Sequence, residues 1–307
     1  MEKRNFMPKL LFIYNPHSGT GKIRPNLSDV IEIFAEKGYE TTVYPTQCQG
    51  DCTRRVISAA DEGFERIVVS GGDGMLHEMT AAAADLKTQT ILGYIPTGTV
   101  NDFAASHCIP LKIKEAAENA VGGSACSIDV MRFNDTYFSY VAAFGLFTNV
   151  SYQTDQKTKN QLGSFAYFLE GLKSITPAHF GEISRVMKIT ANGEEISGEF
   201  VFGAITNSTS LGSIKNFFPQ DVKLDDGIIE GIFIKRPKTF LEFDRLYRAL
   251  ITKSLNSPCI MTVKASEFHL EAEREMAWTL DGENGGSHGN VKIEAIPQAI
   301  KIALPNI

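Results

Sequence analysis

The sequence predicts an N-terminal parallel α/β domain over residues 1–130 joined to a mostly-β, sandwich-like domain over residues 131–307. Three observations lead there. Strand-like and helix-like runs alternate through residues 9–130, the texture of a parallel sheet with helices on both faces. Beyond residue 127, strand-like runs follow one another with few helices between them. Three turns rich in small residues each leave a strand of the first part, and parallel strands would bring such turns to one sheet edge, where open α/β sheets bind ligands.

The first strand is predicted at residues 9–14, an almost wholly apolar run, and the first helix at 27–37, stopped by Gly38. A short strand at 40–44 and an amphipathic helix at 52–62, stopped by Gly63, come next. The β-branched run at 66–70 is a strand, the alanine-rich 76–85 a helix, and the apolar stretch 91–94 a further strand. A helix at 113–121 closes on Gly122-Gly123. Strands are then predicted at 127–131, 137–143, 186–191, 195–202 and 227–234, with Asn192-Gly193 as a hairpin signal. Residues 297–304 form a last strand-like piece.

At 307 residues the chain is long enough for two domains with usable cores. A formal charge of −6 argues against a nucleic-acid partner. No apolar stretch reaches membrane-spanning length, and residues 1–5 lack a secretory apolar segment, so a cytoplasmic protein is expected. Five cysteines, an odd number, suit a reducing compartment better than a disulfide framework. Cys48 and Cys52 have no second ligand pair at zinc-site spacing.

The most informative segment is Gly71-Gly72-Asp73-Gly74, set between a strand and a helix. Such a turn aims backbone N–H groups and a helix N-terminus at one point. An aspartate there would repel a bare phosphate, so Asp73 makes sense with a divalent cation or a hydroxyl donor. The turn therefore reads as the nucleotide site of a phosphotransferase. The other two strand exits are Asn15-Pro16-His17-Ser18-Gly19-Thr20-Gly21-Lys22 and Pro96-Thr97-Gly98-Thr99-Val100-Asn101-Asp102. The Walker pattern fails because Pro16 stands where its first glycine belongs, and the dinucleotide fingerprint fails at Arg24. The protein-kinase signatures are absent.

These three segments resemble the diacylglycerol-kinase catalytic domain of the bacterial lipid kinases that are themselves similar to sphingosine kinases. The family pattern runs N-P-x-S-G-x-G, then G-G-D-G-T-x-x-E, then P-x-G-T-x-N-D-x-A. Asp225-Asp226-Gly227, after Phe218-Pro219, is similar to the family's acidic metal-holding loop, and Leu280-Asp281-Gly282-Glu283 to its late catalytic motif. Two positions depart from the pattern: Met75 replaces the threonine and His77 the common asparagine before Glu78.

The resemblance implies an ATP-dependent kinase acting on a lipid hydroxyl at a membrane surface, with magnesium, transient peripheral association and a C-terminal tail that returns to the first domain. It places the phosphate cradle at Asn15, Ser18, Gly19, Gly71, Gly72, Asp73, Gly74 and Thr99, with Thr46 near the nucleobase or ribose. Glu78, Asn101 and Asp102 complete the nucleotide set, and Asp73 with Asp102 would organise the nucleotide's magnesium. Asp226 with the carbonyls of Lys223 and Ile228 would hold a magnesium ion. Glu283 is the implied proton acceptor, with Asp281 orienting water, metal or substrate. In a strand these two would face one side, whereas Gly282 also permits a tight turn.

Phe144, Phe147, Phe217 and Phe218 line an acceptor cleft or fill the core. Lys235-Arg236-Pro237-Lys238 precedes a helical run carrying Phe240, Leu241, Phe243, Leu246, Tyr247, Leu250 and Ile251, with Arg245, Arg248 and Lys253. That run either packs on the protein or lies on a membrane surface. A homodimer through an exposed strand is compatible with the sequence. Competing readings are an NAD kinase, which shares the G-G-D-G turn, and a non-catalytic nucleotide- or lipid-binding protein.

Overall fold

The computed structural model describes residues 7–146, 180–208, 222–252 and 254–306. The chain divides into two compact units, one of Met1–Val130 with Pro297–Ile307 and one of Met131–Ile296.

In the first unit four parallel strands, β1 (Lys9–Tyr14), β2 (Glu40–Pro45), β3 (Arg66–Gly71) and β4 (Ile91–Pro96), lie in the order β2-β1-β3-β4. The end of the chain's last strand extends the sheet beyond β4, with Lys301 opposite Ile91 and Ile302 opposite Leu92, again parallel. Five helices intervene: α1 (Leu27–Glu36), α2 (Asp51–Ala59), α3 (Asp73–Leu86), α4 (Asp102–Ser106) and α5 (Ile113–Gly122). Leu10 and Phe12 are fully buried on one face of β1, and Leu11 and Ile13 on the other. Both faces are therefore covered, which is why the sequence of β1 reads as a continuous apolar run. Leu10, Phe12, Val68 and Ile95 pack with Val30 and Phe34 of α1 and Ala116, Ala117 and Ala120 of α5. The tail is pinned by Gln298 N–H to Asp129 Oδ1 at 2.8 Å and by Asn119 Nδ2 to the Ala303 carbonyl at 3.2 Å.

A ten-residue strand, β5 (Ser124–Phe133), leads into the second unit, which is mostly β and sandwich-like. Its strands are β6 (Thr136–Phe138), β7 (Val141–Gly145), β8 (Arg185–Ala191), β9 (Glu194–Thr206), β10 (Ile229–Lys235), β11 (Ile260–Ala265), β12 (Glu267–Leu280) and β13 (Glu283–Leu304). Antiparallel pairing runs β11-β10-β9-β7-β12-β13, and β8 also pairs both β9 and β12. Among the described residues two helices accompany them, the short α6 (Phe180–Ile183) and α7 (Phe240–Thr252). Trp278 is fully buried between Phe133 and Phe144, with ring centroids at 5.0 and 4.9 Å. Phe144 thus belongs to the core; Phe147, Phe217, Phe218 and Lys253 lie outside the described residues.

Two expectations need correction. The run 137–143 is not one strand but the ends of β6 and β7, because the N–H groups of Ser139, Tyr140 and Val141 turn to the Asp281 carboxylate. Strands β11, β12 and the first half of β13 were not anticipated. In β12 only Phe268 and Leu270 give an apolar alternation before the charge-dense Glu271–Glu275 stretch breaks it.

Candidate active site

The exits of β1, β3 and β4 are bonded to one another. Asn15 N–H donates to the Ser70 carbonyl at 2.9 Å, and Thr97 N–H to the Gly71 carbonyl at 2.8 Å. Glycine is required at two of these contacts. A Cβ on Gly19, whose φ is +54°, would stand 1.9 Å from the Thr97 carbonyl oxygen. A Cβ on Gly98 would stand 2.6 Å from the Cα of Gly72. The three small-residue turns are thus one interlocked structure at the sheet edge.

Asn101, in the left-handed conformation at φ 55°, braces the third turn: its Oδ1 accepts Gly98 N–H at 3.0 Å and its Nδ2 donates to the Gly98 carbonyl at 2.9 Å. The buried Tyr94 hydroxyl lies between this turn and the second, 3.2 Å from the Gly71 carbonyl and 3.4 Å from Asn101 Oδ1. Asn15 Oδ1 accepts His17 N–H at 2.8 Å, shaping the first turn. Ser18 is half-buried beside it and Thr99 is exposed at the third. Thr46 follows β2, its N–H donating to the Tyr14 carbonyl at 2.9 Å.

Asp73 opens α3, followed by Gly74. Burial, then the neighbouring Asp102 carboxylate, pushes its pKa up to about 6, against the pull of backbone N–H groups at Asn101, Asp102 and Phe103. Its Oδ1 is buried without a hydrogen-bond partner among the described residues, as are Ser70 Oγ and Thr97 Oγ1. A buried polar atom left unpaired costs roughly 1–3 kcal/mol, so three of them around one turn mark where a bound polar group would be accommodated. Ser70, Thr97 and Tyr94 were not singled out from the sequence. Only the flanking Pro96 and Gly98 hinted at Thr97.

The Glu78 carboxylate caps the start of α2, accepting the N–H groups of Gly50, Cys52 and Thr53 at 2.8, 3.1 and 3.4 Å. Met75 is buried and lies against Gly71, where a Cβ would meet its Sδ at 2.8 Å. His77 is half-buried within α3.

In the second unit, Asp281-Gly282 forms the two-residue turn between β12 and β13, with φ 52° and 85° and Leu280 opposite Glu283. Positive φ at both positions is the mark of a type I′ hairpin, for which Asp-Gly is a preferred pair. The turn separates the two carboxylates. Asp281 is 3% exposed and accepts the N–H groups of Ser139, Tyr140 and Val141 at 2.7, 2.9 and 3.1 Å, while its carbonyl accepts the Tyr140 hydroxyl at 3.0 Å. Glu283 is exposed. The strand alternative, with both on one side, does not hold.

Asp226 is exposed, and its Oδ1 accepts Ile228 N–H at 3.1 Å across Gly227 at φ 71°. Lys223 is exposed and Ile228 half-buried in the same loop. Among the described residues no three His, Cys, Asp or Glu side chains are grouped to hold a metal. A single carboxylate with backbone carbonyls is a hard oxygen donor set, which fits a cation that keeps most of its water, as magnesium does.

These features define a two-part class, a glycine-turn α/β unit followed by a β-sandwich-like unit. A family model for the diacylglycerol kinase catalytic domain matches residues 9–133, and one for the YegS C-terminal NAD kinase beta sandwich-like domain matches residues 141–304. The chain is 33% identical over 282 residues to a diacylglycerol kinase of Bacillus subtilis, covering 91% of each. It is 30% identical over 275 residues to that of Staphylococcus carnosus, covering 89% of this chain and 88% of the other. A crystal structure of a diacylglycerol kinase from Bacillus anthracis superposes with a TM-score of 0.80 at 28% identity, over 97% of each chain. The chain belongs to the diacylglycerol kinase catalytic-domain family.

Proposed function

We propose that the chain is an ATP-dependent lipid kinase that moves the γ-phosphoryl group of ATP to a hydroxyl of diacylglycerol or a related lipid. The observation that carries this reading is the interlocked trio of turns around Asp73, with three orphaned buried polar atoms, in a chain of this family.

Phosphoryl transfer asks for positioned phosphates, charge dispersal and a group that receives the acceptor's proton. We assign the first task to the backbone and side chains of Asn15, Ser18, Gly19, Gly71, Gly72, Asp73, Gly74 and Thr99, adding Thr97, with Thr46 toward the nucleoside. Tyr94 and Asn101 hold the turns in place, and Glu78 does the same for the start of α2. Asp73 and Asp102 would hold the nucleotide's magnesium, and Asp226 with the Lys223 and Ile228 carbonyls would hold a second ion. Magnesium, when bound, disperses charge on the transferring group. Glu283 accepts the lipid hydroxyl's proton as the new O–P bond forms, since an alcohol is too weak an acid to lose it beforehand. Asp281 is a positioning residue that fixes the hairpin carrying Glu283. Among the described residues no helix is long and apolar enough to cross a membrane, so we take the association with lipid to be peripheral and transient.

The test is transfer of label from γ-labelled ATP to a lipid panel in mixed micelles, with NAD as a further acceptor and Glu283→Gln alongside. Label in a lipid, reduced about 100- to 10,000-fold in the variant, is the expected result. Label in NAD would move the chain to the NAD kinases. Bound ATP without transfer to anything would make it a binding protein.

A further inference from the structure

We propose that Asn207 supplies a further oxygen to a hydrated divalent cation at the acidic loop of residues 223–228. The proposal deepens the assignment of an ion to Asp226 and rests on that reading.

Asn207 stands just past the end of β9 and is 3% exposed. Burying its amide withdraws both donors and the acceptor from water. The protein returns little of that. Nδ2 donates to the Leu224 carbonyl at 3.5 Å, the outer limit of a hydrogen bond, and Oδ1 is buried without a partner among the described residues. Turning the amide over would set Oδ1 against the Leu224 carbonyl oxygen, two acceptors facing each other. The atom left over is therefore an acceptor, and it lies at the loop that carries Asp226. A buried polar atom in that condition calls for a partner from outside the chain.

The backbone fixes where this side chain stands. Asn207 N–H donates to the Tyr140 carbonyl at 3.3 Å, and the Thr206 hydroxyl bonds the same oxygen. Thr206 is opposite Val141 of β7 on one side and Glu230 of β10 on the other. Strand β10 starts at Ile229, directly after the loop, so the end of β9 and the loop meet at one end of the sheet. Tyr140 in turn gives its N–H and its hydroxyl to Asp281 at 2.9 and 3.0 Å. The hairpin bearing Glu283 is thus tied to the strand end that presents Asn207.

The neighbours select the occupant. Asp225 and Asp226 are exposed carboxylates, and Asn207 Oδ1 adds one more acceptor beside them. A set made of acceptors is completed by a cation. Carboxylate, amide and carbonyl oxygens are the hard partners of a divalent ion that keeps part of its water, and such a water donates well to an amide oxygen. A lipid hydroxyl fits less well, because Oδ1 is closed off from solvent and the bulk of the lipid would have to follow the hydroxyl inward.

Titration of the nucleotide-free full chain with Mn²⁺ alone, read by the paramagnetic resonance of the free ion, tests the assignment. The loop site is the one that Asp226→Asn weakens. There Asn207→Leu should bind about tenfold more weakly. Asn207→Asp, close in shape with an added negative charge, should bind about three- to tenfold more tightly. Opposite signs are what a merely structural amide cannot give: if Nδ2 served only to hold the Leu224 carbonyl, both variants would weaken the site, and that result overturns the proposal. Affinity unchanged in both overturns it as well, while leaving the ion on Asp226. If Asn207→Leu fails to fold, the aspartate variant decides alone, since tightening upholds the proposal and weakening removes it. Mn²⁺ binding that Asp226→Asn leaves intact removes the loop site and the proposal together. Opposite shifts in the two variants, in a chain that phosphorylates no lipid, uphold the cation site and remove the kinase reading.

Discussion

Asp73, half-buried with its Oδ1 shut off from water, and the buried Asp281 are both aspartates followed by glycine, yet their surroundings are opposite. Asp281 spends its carboxylate on three backbone N–H groups at 2.7–3.1 Å and welds a hairpin to β7. Asp73 is partly withdrawn from water, with Oδ1 buried and unpaired among the described residues and a second carboxylate beside it, so its pKa rises to about 6. Evolution can bury an acid to hold a chain together or to hold something else, and the number of satisfied oxygens tells the two apart. An acid that destabilises its own fold is the one reserved for a ligand.

Breaking the satisfied partner should have the largest effect. Asp281→Ala strands three N–H groups, each worth roughly 1–2 kcal/mol, so a loss of about 3–6 kcal/mol is expected in urea or thermal unfolding of the second unit. Asp281→Asn, which tolerates the left-handed backbone and keeps one acceptor oxygen, should lose less. Equal stability of the alanine variant would show that water replaces the carboxylate.

Asp73→Asn should act in the opposite direction. The folded value of about 6 lies above the ordinary 3.8, so the fold takes up a proton as pH falls through 6 and gains stability down to about 4; above pH 6 the charge is a standing penalty. At pH 7 the asparagine variant should be more stable by about 1–3 kcal/mol while losing phosphoryl transfer. A lower melting temperature would contradict the penalty.

His107 sharpens the contrast because it carries the reverse sign. Burial holds its pKa down near 4, with the ring stacked on Phe103 at a centroid distance of 3.9 Å. The stability of the neutral ring is complete above 6.5 and is lost as pH falls toward 4. Between pH 4 and 6 the two groups offset each other, so stability should change little in the parent. Asp73→Asn should expose a fall with acid of about 1–2 kcal/mol and His107→Gln a rise of similar size, read by melting across that range. The smallest effect belongs to Tyr94→Phe, which removes hydroxyl contacts to Gly71 and Asn101. A loss of about 0.5–1.5 kcal/mol and a few-fold rise in KM for ATP are expected.

Much of this contrast was legible in the residues. The apolar runs of β1, β3 and β4 and the glycines after them place three turns at one edge, and the structure locks them there through Gly19, Gly72 and Gly98. The Asp-Gly pair announced a tight turn as one of two options. What stayed hidden needed the fold. Ser70 at a strand end looks like any ladder residue until its hydroxyl is found without a partner. Strand β12 was masked by its charges: pairing with β13 jumps from Glu271 to Met276, so the residues between obey no alternation. The strand at 137–143 was split by an acid some 140 positions away, which no local window reveals.

The sheet of the first unit is completed by residues that lie beyond the whole of 131–296, where Lys301 and Ile302 pair with β4. On the ribosome, β4 must therefore wait as an open edge, with its neighbour unmade, until the second unit has emerged. Such late, non-local pairing is slow and leaves a sticky margin in the interval. The order of synthesis makes the first part of the chain to appear the last to be finished.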